Sequence, residues 1–302
     1  MSLLVVGSVA LDSVQTPFGE AEEVLGGSAV YFSVAASFFT QVHLVGVVGG
    51  DFPKEHLAFL RGRGIDLAGL EEADGETFRW RGEYTYNLNE AITRETRLNV
   101  FESFRPRVPA AYRRCRYLFL ANIDPELQLR VLGQVDSPDL VALDTMNYWI
   151  EGKPKALREA LRHVQILIIN DAEARQLAQE PNIARAARAI LAMGPKTLVI
   201  KRGEYGALLF DPEGVFSAPG YPLEDLCDPT GAGDTFAGGC MGHLARTRDL
   251  SPQTLRQAII YGSAMASFNV EAFSVDRLRT LTYPEIEERV KAFKLLSHFE
   301  VP

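Results

Sequence analysis

Short apolar runs alternate with helical segments along most of the chain. The runs have the length and composition of buried strands, and they fall at residues 3–9, 42–48, 117–121, 140–143, 164–169 and 197–200. Most of them are separated by segments of helical character, such as residues 126–134 and 172–178. Strands that alternate with helices in this way predict a central, mostly parallel sheet with helices on both faces. We therefore expect an α/β protein with three layers, α/β/α.

Residues 77–101 break this alternation. Two sets of side chains alternate within this segment, a polar set of Thr85, Asn87 and Asn89 and an apolar set of Tyr84, Tyr86 and Leu88. A period of two indicates a half-exposed antiparallel strand, and we interpret the segment as a small β-sheet lid. The excursion between the first strand and the first helix is the second candidate for lid structure. We expect the two insertions, at about 13–25 and 77–104, to meet in space.

The composition narrows the choice of partners. The chain has 302 residues, 47% of them hydrophobic, and 31 Lys and Arg against 39 Asp and Glu give a net charge of −8. An acidic protein repels a polyphosphate backbone, so we expect no nucleic-acid partner. Three cysteines without a CxxC pair favour a reducing compartment, and no apolar stretch is long enough for a membrane span. We expect a cytoplasmic protein that forms one domain over residues 1–302.

Residues 228–239 read DPTGAGDTFAGG and contain the most informative motif. A glycine-rich turn that runs into a helix leaves backbone N–H groups unpaired and aimed at one point, where an anion binds. Asp234, in the first helical turn, places a carboxylate beside that point, which suggests phosphoryl transfer. The alternative interpretation is a glycine-rich helix start with a favourable first-turn acid. The chain has neither the GxxxxGK[ST] sequence of a P-loop nor a GxGxxG after its first strand.

Four ordered elements resemble the PfkB, or ribokinase-like, carbohydrate and nucleoside kinases. The segment 228–239 is similar to the C-terminal motif of that family, and Gly26-Gly27-Ser28 is similar to its N-terminal double glycine. Residues 170–173, NDAE, match its NxxE element, and residues 201–206, KRGEYG, match its KxGxxG turn. The resemblance covers essentially the whole chain. It implies a ribokinase-like fold in which the two insertions form the lid.

The resemblance also implies residue roles. Asp234 would be the catalytic base, and the amides of Gly231, Ala232 and Gly233 would stabilise the transferring phosphoryl group. Asn170 and Glu173 would act through water on the magnesium bound to ATP, with Glu173 nearest to the metal. The donor side would also include Lys201, Gly203, Gly206 and Thr230. For Asn170 and Glu173 the alternative is a plain helix start with an Asn cap and a first-turn acid.

On the acceptor side, the resemblance assigns Asp12, Gly26, Gly27 and Ser28 to substrate binding. Asp228 corresponds to a position beside a monovalent cation, usually potassium, in many family members. Tyr31 occupies a position that is asparagine in many of the sugar kinases, and we interpret it as a core residue. The lid residues Asn87, Asn89 and Arg97 are candidate substrate contacts, because amides and guanidinium groups bind hydroxyls or phosphate. Their alternative is a solvated sheet face.

We therefore expect an ATP-dependent kinase that phosphorylates a hydroxyl of a small sugar, sugar acid, polyol or nucleoside. A nucleoside kinase is the first alternative to a sugar kinase, because the aromatic side chains of the lid, Phe78, Trp80, Tyr84 and Tyr86, are able to stack a base. A non-catalytic metabolite sensor on the same fold is the second. The apolar set of lid residues further predicts a homodimer that buries it between two lids. The sequence does not name the acceptor.

Overall fold

The computed structural model describes residues 2–298 and contains two sheets. The large sheet has nine strands in the order β13-β12-β11-β10-β9-β8-β1-β4-β5, and all neighbours pair in parallel except β11–β12 and β12–β13. Its strands are β1 (Ser2–Val6), β4 (Gln41–Gly49), β5 (Ile65–Ala73), β8 (Tyr117–Leu120), β9 (Leu140–Leu143), β10 (Ile166–Asn170), β11 (Thr197–Lys201), β12 (Ala207–Asp211) and β13 (Gly214–Ala218). The predicted mostly parallel sheet is confirmed.

Helices cover both faces of this sheet. One layer comprises α1 (Ser28–Ala36), α2 (Lys54–Gly62), α8 (Ala232–Thr247), α9 (Pro252–Asn269), α10 (Asp276–Thr280) and α11 (Tyr283–Leu296). The other comprises α3 (Pro125–Leu132), α4 (Asn147–Gly152), α5 (Pro154–Leu161), α6 (Asp171–Ala178) and α7 (Ile183–Leu191). Within residues 2–298 no helix is both long and apolar enough to cross a membrane.

Two hydrophobic cores, one on each face, explain why the strands are continuously apolar. Successive side chains of a strand point to opposite faces. In β1, Leu3 and Val5 therefore join the core under the first helical layer, and Leu4 and Val6 join the core under the second. The expected three-layer α/β/α architecture follows from this division.

The small sheet is built from both predicted insertions. Its strands are β2 (Ala10–Thr16), β3 (Gly19–Gly26), β6 (Phe78–Tyr84) and β7 (Ala91–Arg97), in the order β3-β2-β6-β7. β2 and β6 pair in parallel and place Asp12 opposite Trp80, so the two insertions do meet. Thr16 donates a hydrogen bond to the carbonyl of Cys227, and Thr230 donates to the hydroxyl of Tyr84. The face that carries Asp12, Trp80 and Tyr84 therefore lies towards the main sheet.

The predicted alternation within the lid is wrong at residues 84–89. Strand β6 ends at Tyr84 and β7 begins at Ala91, because the chain reverses direction between them, and the residues in between form the hairpin tip. Tyr86 is 92% exposed, while Tyr84 packs towards its own main sheet. The outer lid face instead carries ion pairs such as Arg81–Glu22 and Arg97–Glu95. Tyr84 and Tyr86 therefore do not share one apolar lid face, on which the homodimer prediction rested. The homodimer stays a prediction.

Helices α1 and α8 pack side by side in the same direction, so that both begin at the carboxyl edge of the large sheet. The two helices approach each other closely at glycines of α8. A Cβ on Gly238 would overlap the carbonyl oxygen of Phe32 and lie 2.8 Å from Cβ of Ala35, and one on Gly242 would lie 2.8 Å from the ring of Phe39. Phe32 in turn stacks on Phe119 of β8, with ring centroids 4.2 Å apart.

Gly238→Ala is expected to lower the free energy of unfolding by about 1–3 kcal/mol, because the added methyl group separates two packed helices. Gly62→Ala is the matched control, since Gly62 ends α2 and a Cβ there meets nothing within 4 Å. Helix propensity alone favours alanine in both variants. Denaturant unfolding should show a loss for Gly238→Ala and no loss for Gly62→Ala. Equal midpoints would refute the close-packing account.

Candidate active site

The start of α8 lies at the carboxyl edge of the large sheet and is bare. Gly231 occupies the N-cap in the left-handed region, with φ of 72°, and no side chain caps the helix. A Cβ at Gly231 would overlap the ring of Tyr31, so only glycine fits. The amides of Gly231, Gly233 and Asp234 find no acceptor among residues 2–298. The amide of Ala232, which we expected to be free like those of Gly231 and Gly233, instead donates to the carbonyl of Pro229 at 3.2 Å.

Asp234 lies in the first turn of α8, half-buried beside these amides. Burial, and next the charge of Asp144, raise the pKa of Asp234 from 3.8 to about 7, although Lys201 opposes the shift. A carboxylate that titrates near neutrality is suited to accept a proton from a hydroxyl group. The geometry therefore agrees with the predicted position of the base.

Asp12 is the second buried carboxylate of the site, with only 4% of its surface exposed. It lies directly on Gly26, where a Cβ would overlap the carboxylate. Burial raises the pKa of Asp12 to about 7; a hydrogen bond from the Gly27 amide opposes the shift, and the charges of Asp228 and Asp234 add to it. Gly27 has φ of 95°, and a Cβ there would lie 2.5 Å from the carbonyl oxygen of Ser8. The double glycine thus gives Asp12 its place near Asp234.

Ser28 has a structural partner that the sequence interpretation missed. Its amide donates to the hydroxyl of Ser8 at 3.0 Å, and its own hydroxyl accepts from the Ser8 amide at 3.2 Å. The two hydroxyls lie 3.1 Å apart. This reciprocal pair joins the end of β1 to the start of α1. Ser28 thus helps to position α1, and its assignment to substrate binding stays a prediction.

Asp228 and Thr230 form the turn that leads into α8. Asp228 is 1% exposed, and its Oδ1 accepts from the Thr230 amide at 2.8 Å. Its Oδ2 is buried and has no hydrogen-bond partner within the described part of the chain. Burial raises the pKa of Asp228, while the hydroxyl and amide of Thr230 oppose the shift. An unpaired buried carboxylate oxygen fits the neighbourhood of a monovalent cation, and the potassium assignment stays a prediction.

Asn269, at the end of α9, fixes this turn, a role of its side chain that the sequence interpretation missed. Its side-chain amide donates to the carbonyl of Thr230 at 2.8 Å, and its Oδ1 accepts from the hydroxyl of Thr235 at 3.1 Å. The residue is 1% exposed. One asparagine therefore holds both the turn before α8 and the first turn of that helix. A polar residue within an apolar helical stretch was the only available signal.

Lys201 and Asp144 form an ion pair beside the start of α8. Lys201 ends β11, and its Nζ lies 3.2 Å from Oδ2 of Asp144, which follows β9. A Cβ on Gly233 would lie 2.9 Å from the same Nζ. The predicted donor-side position of Lys201 is thus next to the bare amides. Gly203 and Gly206 have φ of 55° and 85° and shape the turn between β11 and β12.

Asn170 and Glu173 form a capping box at the start of α6. Oδ1 of Asn170 accepts from the Glu173 amide at 2.7 Å, and Oε2 of Glu173 accepts from the Asn170 amide at 2.8 Å. The plain helix-start interpretation is therefore realised. Burial, and next the charge of Asp144, raise the pKa of Glu173 to about 7, while Lys201 opposes the shift. Glu173 consequently belongs to the same electrostatic cluster as Asp144 and Lys201.

The structure does not bring the three polar lid residues to the acceptor side. Asn87 is exposed, and its Oδ1 accepts from the amide of Asn89 within the hairpin tip. Asn89 donates to the carboxylate of Glu204 at 3.2 Å and accepts from the Glu204 amide at 3.3 Å. Arg97 pairs with Glu95 on the outer lid face. Strand register places Arg97 on the outer face, and the two asparagines lie in the hairpin tip, so the role of all three in substrate binding stays a prediction.

Aromatic residues line the inner side instead. Tyr31 is 1% exposed, which agrees with a core position, but its hydroxyl is buried without a hydrogen-bond partner within residues 2–298. Burial, and next the charge of Asp12, raise the pKa of Tyr31 well above its usual value. Trp80 is half-buried opposite Asp12, with its ring across Gly82 and its Nε1 donating to Thr93 at 3.3 Å.

Solved structures share this architecture over nearly the whole chain. The crystal structure of a nucleoside kinase from Methanocaldococcus jannaschii, an archaeal member of the ribokinase family, superposes with a TM-score of 0.76 at 21% identity and covers 96% of this chain and 98% of that one. An aminoimidazole riboside kinase from Salmonella enterica gives a TM-score of 0.71 at 20% identity, with 97% and 99% covered. The chain thus has the fold of these ribokinase-like proteins.

Sequence similarity narrows this class to one family. Residues 128–279 match the pfkB family of carbohydrate kinases. A cytidine kinase from Thermococcus kodakarensis is 30% identical over 257 residues, which cover 83% of this chain and 91% of that protein. The chain belongs to the pfkB family and is a kinase of the carbohydrate and nucleoside type, as its motifs predict.

Asp234→Asn is expected to stabilise the protein at pH 8. The pKa of this carboxyl group is about 7 in the folded chain and 3.8 in the unfolded chain. As the pH rises from about 4 to 7, the unfolded chain therefore loses the proton more readily, and the free energy of unfolding falls. The amide has no such penalty. The variant should therefore melt about 2 °C or more above the wild type at pH 8, with a smaller difference at pH 5.

Differential scanning calorimetry at the two pH values measures this difference. Asp225→Asn, in an exposed loop, is the control and should show no gain that depends on pH. If Asp234→Asn melts at or below the temperature of the wild type at pH 8, the charged Asp234 carboxylate does not destabilise the folded chain, and the prediction is wrong.

Proposed function

We propose that the protein is an ATP-dependent nucleoside kinase in which Asp234 is the general base. The observation that carries the proposal is the juxtaposition of the bare amides of Gly231, Gly233 and Asp234 with two carboxylates, that of the half-buried Asp234 and that of the buried Asp12. The amides suit the phosphoryl group, and the carboxylates suit the acceptor hydroxyls. The family supports phosphate transfer to an alcohol.

In this mechanism the oxygen of the acceptor hydroxyl attacks the γ-phosphorus of ATP, and Asp234 accepts the proton of that hydroxyl. The bond between that phosphorus and the β–γ bridging oxygen breaks, and ADP leaves. The amides at the start of α8 and its helix dipole stabilise the negative charge on the transferring group. Asp12 orients the acceptor by accepting hydrogen bonds from its other hydroxyls. The lid excludes water, which would otherwise compete for the phosphoryl group.

Magnesium would neutralise the phosphate charge when bound with ATP, and the residues around the site fit it. Magnesium keeps several waters and uses few protein ligands. Glu173 supplies a carboxylate in the same electrostatic cluster as Asp234, and Asn170 fixes that carboxylate through the capping box. These two residues would hold the ion through its water molecules. ATP as donor is supported by the Salmonella enterica relative, which was crystallised with a riboside and an ATP analogue.

The indole of Trp80 favours a nucleoside over a free sugar. It lies on the inner lid face, opposite Asp12, and is held by Gly82 and Thr93. A base attached to a ribose whose hydroxyls contact Asp12 would reach this ring and stack on it. The relatives named cytidine kinase and nucleoside kinase support the same acceptor class.

Release of ADP from magnesium-ATP tests the proposal across cytidine, uridine, adenosine, inosine, ribose, fructose and a keto-deoxy sugar acid. A nucleoside should give a kcat/KM at least about 10-fold above that of every free sugar, because stacking adds about 1–3 kcal/mol per base. Turnover of a free sugar in preference to all nucleosides would reject the acceptor class. Absence of turnover with every acceptor would favour the metabolite sensor.

Trp80→Ala should raise KM for the preferred nucleoside by about 10-fold and leave the residual rate with ribose unchanged. Trp149→Ala is the matched control, because the other tryptophan of the chain lies on α4 against Tyr148, with ring centroids 4.8 Å apart. In Trp149→Phe, the fluorescence of Trp80 alone should be quenched by the nucleoside. An unchanged KM in Trp80→Ala would remove the stacking role.

A further inference from the structure

We propose that Asp144 is a positioning residue for phosphoryl transfer, which holds the ammonium of Lys201 against the bare amides at the start of α8. The proposal rests on the proposed kinase function and assigns a role to a carboxylate that no sequence motif identified. Asp144 acts through Lys201, and Lys201 contacts the transferring phosphoryl group.

Asp144 is itself held rigidly. It directly follows β9 and is 5% exposed. Its Oδ1 accepts from the amide of Thr145 at 2.8 Å, which leaves Oδ2 for Lys201 at 3.2 Å. Its carbonyl accepts from the side-chain amide of Gln128 at 3.0 Å, and Gln128 is fully buried in α3. The carboxylate therefore has one orientation, with one oxygen free to bind the ammonium.

Lys201 is placed where a transferring phosphate would lie. Its side chain is 16% exposed, and its Nζ lies 2.9 Å from the position that a Cβ on Gly233 would occupy. The amides of Gly233 and Asp234 point from the same helix turn. An ammonium has three donors. With one donor on Asp144, the other two are able to contact phosphate oxygens that are bound at those amides.

The surrounding charges explain why the ammonium needs an anchor. Although burial opposes it, the charges of Asp144, Glu173 and Asp234 raise the pKa of Lys201, so the side chain stays charged. Asp234 and Glu173 therefore compete with Asp144 for the same cation. If Asp144 lost its charge, Lys201 would move towards Asp234, and an ion pair there would make the base a weaker proton acceptor. Asp144 keeps Lys201 on the phosphate side.

A double-mutant cycle of Asp144→Asn and Lys201→Met tests this linkage. Each single variant should lower kcat by about 10- to 100-fold, while KM for the nucleoside stays within about 2-fold. The double variant should be no slower than Lys201→Met, because Asp144 acts through the lysine. Asp144→Glu should recover part of the loss. Asp139→Asn is the matched control, since it lies before the other end of β9 and pairs with Arg116.

Three results would overturn the proposal. They are an unchanged kcat and KM in Asp144→Asn, a raised nucleoside KM with an unchanged kcat in that variant, and losses of the two single variants that multiply in the double variant. Thermal melting establishes that the variants are folded, and Asp144→Ser, which also removes the carboxylate, takes the place of Asp144→Asn if that variant is not. If the wild type phosphorylates no acceptor, the proposed function fails, and the same cycle on the slow hydrolysis of magnesium-ATP still tests the linkage.

Discussion

The site depends on the close packing of α1 against α8. Both helices begin at the carboxyl edge of the parallel strands, and glycines let them approach, so that Gly231 lies against Tyr31 and Gly238 against Phe32. The start of α1 carries the double glycine next to Asp12, and the start of α8 carries the bare amides and Asp234. The two carboxylates and the bare amides are therefore brought together by the close contact between two helices. A larger side chain at this contact would separate them.

At this edge of the sheet, carboxylates repel one another when no cation is bound. Burial raises the pKa of five carboxylates at this edge. They are those of Asp12, Asp144, Glu173, Asp228 and Asp234. Lys201 is the cation that three of these carboxylates share. A site of this kind stores repulsion that bound cations and a correctly placed ammonium relieve. This arrangement matches what the proposed phosphoryl transfer requires, which is both a base and compensation of charge.

The sequence predicted the large sheet, the two lid insertions and the main motifs because each has a local signature. Continuous apolar strands, the double glycine and the glycine-rich start of α8 are visible in single segments. The roles of Asn87, Asn89 and Arg97 stay predictions, because strand register and a hairpin decide which way a side chain points and neither is visible in the sequence. Asp144 and Asn269 were missed because their partners, Lys201 and Thr230, are distant in sequence. A polar residue directly after the buried strand 140–143 was the signal that Asp144 offered.

The central claim is that Asp234 removes a proton at the anion-binding start of α8. Its most direct test is kcat for the preferred nucleoside in Asp234→Asn, measured beside the dissociation constant for magnesium-ATP. We expect kcat to fall by about 1,000-fold and the dissociation constant to change by less than about 3-fold, because the amides that are proposed to bind the phosphate remain. A kcat within about 10-fold of the wild type would show that another group takes the proton, and would contradict the account.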